Sequence, residues 1–201
     1  MKLKLLFAVL IATGSLLNAQ VTESTPPKDG KWYKIRVVQT GKYLSVENSS
    51  KENGARIVQL DYEDKKNQKF QAKKHSDGTY SFFAAHSSKS ICADKGDNRE
   101  GDAIIQNTLS EYFGKWYLTK LSNCGLGWKM QYKSSSGKPL QVSSTANGAA
   151  CQLIEPIYQD GDVDCPYNYV FEPIEEPTPE ILKQKSHVPL KSGVIIKNQQ
   201  Q

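Results

Sequence analysis

Tyr33-x-Ile35, then Gly41-Lys42-Tyr43-Leu44-Ser45-Val46, then Asn53–Gln59 (NGARIVQ), then Asn67-Gln68-Lys69-Phe70: this stretch recurs twice further down the chain. The second copy runs Tyr80-x-Phe82, Ser88–Ala93 (SKSICA), Glu100–Gln106 (EGDAIIQ) and Phe113–Trp116 (FGKW). The third runs Trp128-x-Met130, Gly137–Val142 (GKPLQV), Asn147–Gln152 (NGAACQ) and Asn168–Phe171 (NYVF). Leading aromatics at 33, 80 and 128, lysines at 42, 89 and 138, and glycines at 54, 101 and 148 hold the period. Self-similarity of this length means that one supersecondary unit was copied and that its copies pack on one another.

Alternation shows what one unit is made of. Leu44 and Val46 flank Ser45, Ile91 and Ala93 flank Cys92, and Leu140 and Val142 flank Gln141. A period of two is a strand with one face buried. Ile57–Leu60 and Ala103–Ile105 are β-branched or aliphatic and also favour strand. Turn formers separate these runs, among them Asn48-Ser49-Ser50, Ser76-Asp77-Gly78 and Lys95-Gly96-Asp97-Asn98. Each unit therefore holds about four short strands, the spacing of an all-β domain. Between Lys31 and Ile174 no long stretch has helical period, so helix should be scarce.

Three such units, each ending in an aromatic that can plug a shared centre, resemble a β-trefoil of the ricin-type lectin family. Units of that family end in Gln-x-Trp, usually with Asn before the Gln. Asn67-Gln68-x-Phe70 is close to this pattern, Phe113-Gly114-x-Trp116 keeps the aromatic, and Asn168-Tyr169-x-Phe171 keeps the Asn and the aromatic. GKYLSV and NGARIVQLDY are also similar to strings in bacterial members. The resemblance covers residues 31–174, with repeats at about 31–75, 76–121 and 122–174.

Residues 1–19 begin with Lys2 and Lys4, continue through the apolar run Leu5–Ile11 and end in Asn18-Ala19. A basic start, a short apolar centre and a small residue before the cut describe a secretory signal peptide. The apolar run is too short for a membrane span, which needs about 20 residues. The expectation is an exported protein, secreted or periplasmic. Residues 20–30 are polar with two prolines and read as a leader. Glu175-Glu176-Pro177-Thr178-Pro179 opens a linker, and residues 175–201 form it together with an irregular tail.

Once Lys2 and Lys4 leave with the signal, 24 basic residues face 21 acidic ones, a net charge of +3. The lysines are scattered through loops rather than gathered in a stripe, which argues against nucleic acid as a partner. The aromatics recur at core positions and read as core. Four cysteines, Cys92, Cys124, Cys151 and Cys165, allow up to two disulfides in an exported chain, in three possible pairings. Cys151 with Cys165 would close a short loop, and Cys92 would then meet Cys124. The other reading makes Cys151, which aligns with Ile57 and Ile104, a small buried hydrophobe.

No enzyme, metal or cofactor signature emerges. The three histidines, His75, His86 and His187, stand apart from one another and from any cysteine pair at ligand spacing. Asp160-x-Asp162-x-Asp164 offers alternating carboxylates but lacks the trailing Glu of a calcium loop, and reads as a solvated acidic turn.

The resemblance instead implies a glycan or polysaccharide as partner, held in shallow surface pockets. Such a pocket needs a carboxylate or amide for paired hydroxyls and an aromatic face for the sugar's C–H surface. The family's outward Asp is replaced here by Ser45, Cys92 and Gln141, and its stacking aromatic by Leu60, Asn107 and Ile154. The first unit comes nearest, with a candidate carbohydrate site of Ser45, Asp61, Tyr62, Asn67 and Gln68. Asn67 and Gln68 also have a structural reading, satisfying backbone groups where the loop turns inward. A different function class stays open beside this one. The long loop Glu155–Asn168 of the third unit could bind a protein or inhibit a protease.

Overall fold

The structure is a computed structural model and describes residues 25–96, 99–108, 114–120, 126–134, 137–155, 158–159, 162–163 and 168–177. The expected signal segment, the tail from 178 onward, Phe113, Cys124 and Cys165 lie outside the described residues. The first unit contributes β1 (Trp32–Val37), β2 (Tyr43–Val46), β3 (Ile57–Leu60) and β4 (Phe70–Lys74). The second contributes β5 (Tyr80–Ala84), β6 (Ser90–Ala93), β7 (Ile104–Asn107) and β8 (Trp116–Thr119). The third contributes β9 (Lys129–Tyr132), β10 (Leu140–Val142) and β11 (Cys151–Leu153), a short extra hairpin of β12 (Tyr158–Gln159) and β13 (Asp162–Val163), and finally β14 (Tyr169–Ile174). Helix among the described residues is confined to two 3-10 turns, Glu47–Ser49 and Lys66–Gln68.

The first and last strands of each unit close a six-stranded barrel. β1 pairs with β4 and β14, β5 with β4 and β8, and β9 with β8, all antiparallel. Trp128 and Tyr169 close the circle by exchanging backbone hydrogen bonds, each 2.9 Å. A closed barrel has no exposed edge strand, so the short strands need no other protection.

The inner strands form three hairpins, β2–β3, β6–β7 and β10–β11, over one end of the barrel. They hold one another in a ring. Gly54 N–H donates to Gln106 O (3.0 Å) and Gln106 N–H to Ala55 O (2.8 Å). Gly101 N–H donates to Leu153 O and Leu153 N–H to Asp102 O, while Gly148 N–H donates to Gln59 O and Gln59 N–H to Ala149 O. The three glycines, which the repeat singled out, have φ of +84°, +81° and +82°, a conformation that glycine adopts without a Cβ penalty.

Phe70 and Trp116 are fully buried and Phe171 is 5% exposed, all within one hydrophobic cluster. Phe82 stacks on Phe171 at 5.2 Å and Tyr132 meets Trp116 edge-on at 5.7 Å. Burying each such ring is worth roughly 1.5–3 kcal/mol. The chain is thus an all-β trefoil, as the triplicated unit required.

The disulfide expectation needs correcting. Cys92 and Cys151 are free and buried, so neither the Cys92–Cys124 nor the Cys151–Cys165 bridge forms. Cys151 sits inside the hydrophobic cluster at the place that Ile57 and Ile104 take in their units. Cys92 Sγ lies 3.7 Å from Ile105 O, and burial pushes its pKa up to about 12. A thiol that cannot readily ionise packs as a small hydrophobe.

Candidate functional site

In the first unit the chain leaves β3 at Leu60, loops out through Asp61–Lys65 and returns by the 3-10 turn that delivers Phe70 to the core. Two buried side chains fasten this loop. Gln68 Nε2 donates to Asp61 O (2.8 Å) and Ser45 Oγ (3.0 Å), while Gln68 Oε1 accepts from Glu63 N–H (2.8 Å). Asn67 Nδ2 donates to Val46 O at 2.8 Å. Ser45 has no exposed surface and donates to Tyr43 O. Its counterparts Cys92 and Gln141 are buried too. Asn67 and Gln68 therefore do the backbone-satisfying work that buried polar groups must do.

Asp61 and Tyr62 stay at the surface but face different neighbours. Asp61 Oδ1 accepts from Lys42 Nζ (3.0 Å) and Oδ2 from Asn147 Nδ2 (2.6 Å), a link into the third unit. Those two hydrogen bonds hold the exposed Asp61 carboxyl below its ordinary pKa. Tyr62 packs on Tyr43 at 4.9 Å, donates its hydroxyl to Asp64 Oδ1 (2.7 Å) and lies under Lys34 Nζ, 4.5 Å from the ring centre. Partial burial and the bond to Asp64 raise its pKa. Beside this pair, Glu172 of β14 accepts from Arg36 Nε (2.6 Å) and Tyr43 OH (3.1 Å), with Lys34 Nζ at 3.0 Å.

The five candidate residues thus divide into a buried trio beneath the loop, Ser45, Asn67 and Gln68, and two groups at its surface, Asp61 and Tyr62. Two open clefts flank the far part of the loop and share Asp64 and Lys66, while Asp61 and Tyr62 line neither. One, of about 350 Å3, runs along Lys69 to Ile174–Pro177. The other, of about 410 Å3, lies between Ser49, Lys51 and Lys65–Asn67 of the first unit and Ala85–His86 of the second. His86 Nε2 is 2.8 Å from Ser50 O, a carbonyl that also accepts from Gln106 Nε2. Burial, with Lys51 and Lys89 nearby, lowers the His86 pKa despite that bond.

Several of these groups escape a reading of the chain in order. Glu172 lies more than 100 residues from the β1 cations it binds. His86 shows in the chain only as a histidine away from any ligand partner, and its bond to Ser50, 36 residues back, has no local signal. Its place across a cleft from Asn67 depends on how two units dock. Gln59 and Gln106 did leave a signal, since each closes its NGARIVQ-like string. Gln59 binds Thr40 Oγ1, Ser144 O and Ala146 O, while Gln106 binds Ser87 Oγ, Ser50 O and Glu52 O.

Among the described residues, no three His, Cys, Asp or Glu side chains stand together as metal ligands would, and no helix is long and apolar enough to cross a membrane.

Comparison with known proteins places this geometry. Residues 19–107, covering the first unit and the second through β7, match the family described as "Ricin-type beta-trefoil lectin domain-like". That match bears out the ricin-type resemblance over residues 19–107. A designed three-fold symmetric protein, ThreeFoil, is similar at 29% identity and a TM-score of 0.59, over 69% of this chain and 97% of that one. The agglutinin of Rhizoctonia solani superposes with a TM-score of 0.60 at 12% identity, over 74% and 100% of the two chains. The Macrolepiota procera ricin B-like lectin, solved in complex with lactose, superposes with a TM-score of 0.59 at 15% identity, over 74% and 99%. At identities this low the last two speak for the fold alone. No curated protein matches the chain.

Proposed function

We propose that this chain is an exported, non-catalytic module that binds carbohydrate through the first unit, like the ricin-type lectins it resembles. The observation that carries the reading is the first-unit loop itself. There Asn67 and Gln68 survive from the family's unit ending and anchor a loop that presents Asp61 and Tyr62. An acidic group with an amide beside it suits vicinal hydroxyls, and a tyrosine face suits the apolar side of a sugar ring. The absence of catalysis is supported by the condition of the best nucleophile candidate. Ser81 Oγ lies 2.9 Å from His75 Nε2, yet it is buried and donates to Gly114 O. Export rests on the character of residues 1–19.

A glycan array probed with the protein and with Tyr62→Ala and Asn67→Ala tests the reading, with melting temperature measured alongside. The expected result is binding to at least one glycan, weakened about tenfold or more by Tyr62→Ala, the size of one lost stacking contact. Unchanged binding in both variants moves the site off the first unit. A blank array, together with a protein captured through residues 155–168, favours the protein-binding alternative.

A further inference from the structure

The 410 Å3 cleft between the first two units has an unusual floor. Asn67 Nδ2 is committed to Val46 O, which leaves Asn67 Oδ1 buried and without a partner. His86 Nε2 faces the carbonyl of Ser50, which can only accept, so Nε2 carries the proton. His86 Nδ1 is then a bare acceptor, also buried and unpartnered. An unmet buried acceptor costs about 1–3 kcal/mol and calls for an explanation. Here two of them belong to side chains lining one cleft, contributed by different units.

The rim has the opposite character. Lys51, Lys65 and Lys66 surround the opening, against the single carboxylate of Asp64. Lys65 is paired with Glu63 at 2.6 Å, and Asp64 with Lys69 at 2.7 Å. Among the described residues, Lys51 and Lys66 have no carboxylate within ion-pair distance. Two uncommitted ammonium groups above two uncommitted acceptors define a ligand with hydroxyl donors at one end and an anion at the other.

We infer that this inter-unit cleft takes an acidic saccharide, a sugar bearing a carboxylate or a sulfate. Its hydroxyls donate to Asn67 Oδ1 and His86 Nδ1, and its anion lies between Lys51 and Lys66. Both acceptors are covered in the free protein, so binding requires the side chains over them to give way. The inference rests on the carbohydrate reading above and adds to it a substrate class and a partner residue from the second unit.

Calorimetric titration of the protein with a galacturonic acid oligomer, its carboxyl-reduced neutral counterpart and a sulfated galactose oligomer decides the matter. The acidic ligand should bind at least tenfold tighter than the neutral one, and its affinity should fall as salt rises. Whichever of the carboxylated and sulfated oligomers binds tighter identifies the anion. The double variant Lys51→Gln, Lys66→Gln should erase the preference without changing the melting temperature. The His86 ring signal, assigned by its loss in His86→Gln, should shift at saturation with ligand. Equal affinity for acidic and neutral oligomers, a preference that survives the double variant, or an unmoved His86 signal would each overturn this inference and leave the carbohydrate reading standing. Failure of every saccharide on the array would remove the broader reading itself.

Discussion

A methyl group at residue 127 has no room. The Cβ of an alanine there would lie 3.0 Å from both Asn168 Cβ and Tyr169 O and 3.2 Å from Val38 Cγ2, at a φ of +114°. Since Tyr169 O is also the acceptor that closes the barrel to Trp128, the backbone cannot yield without opening that bond. Gly127→Ala should therefore lower stability by about 2–4 kcal/mol, from strain and clash together. Gly101→Ala meets open space at a φ of +81° and should cost only about 1 kcal/mol. Urea denaturation of the two variants measures the difference. Gln59→Leu makes a milder substitution, because Leu153 already stands at the matching place in the third unit. The Ser144 and Ala146 carbonyls it releases belong to exposed residues that water can reach, so the cost should be about 1 kcal/mol. Single side chains were legible in the chain where a local pattern carried them. Asn67 and Gln68 could be read as backbone anchors because they precede a plug aromatic. Ser45 could be placed on the face opposite Leu44 and Val46, but not seen to be covered, because its cover is Gln68, 23 residues on.

The strands were legible from their period of two, and the contacts between distant strands were not. β14 is the clearest case. Its pairing with β1 follows from the triplicated unit, but the Glu172 carboxylate that ties it to Arg36, Lys34 and Tyr43 has no counterpart to announce it. Burial pushes the Glu172 carboxyl up, and the hydrogen bonds and charges of Arg36 and Lys34 outweigh it, so its pKa lies below the ordinary 4.5. A carboxyl with a lowered folded pKa stabilises fully above its unfolded value. That contribution disappears as pH falls through the lower folded value. Glu172→Gln should cost about 1 kcal/mol at pH 7, the scale of a partly exposed ion-pair network. The gap between wild type and variant should close as the pH drops below about 4. Thermal melts at pH 7 and pH 3 check both halves, and a gap that persists at pH 3 would mean that shape rather than charge holds the strand. The hairpin of β12 and β13 was foreseen only as a long loop. Two-residue strands carry too short an alternation to be read.

The threefold closure sets the unit of folding. The repeat was legible because spacing survives even where residues change, as with Asn67, Phe113 and Asn168 at one matching place. The disulfides were misjudged because a cysteine count cannot tell a bridge from two buried thiols in different units. Every device that closes the molecule takes partners from more than one unit. The hairpin ring runs from the first unit to the second, from the second to the third and from the third back to the first. Phe171 of the third unit stacks on Phe82 of the second and meets Tyr33 of the first edge-on at 6.3 Å. The match to the lectin-like family ends at residue 107, yet a fragment of residues 25–107 should not fold by itself. It would lose the core rings of Trp116 and Phe171, the three strands β8, β9 and β14 that complete the barrel beyond β5, and two of the three ring contacts. Burial forgone on that scale exceeds the 5–15 kcal/mol by which a domain is stable. The fragment should show narrow amide dispersion and no cooperative melt, while residues 25–177 show both dispersion and a single transition. A cooperative melt from 25–107 would mean that two units can close without the third, by association of two fragments or by a different pairing of β1. Sedimentation of the fragment would then separate these, since only the first doubles its mass.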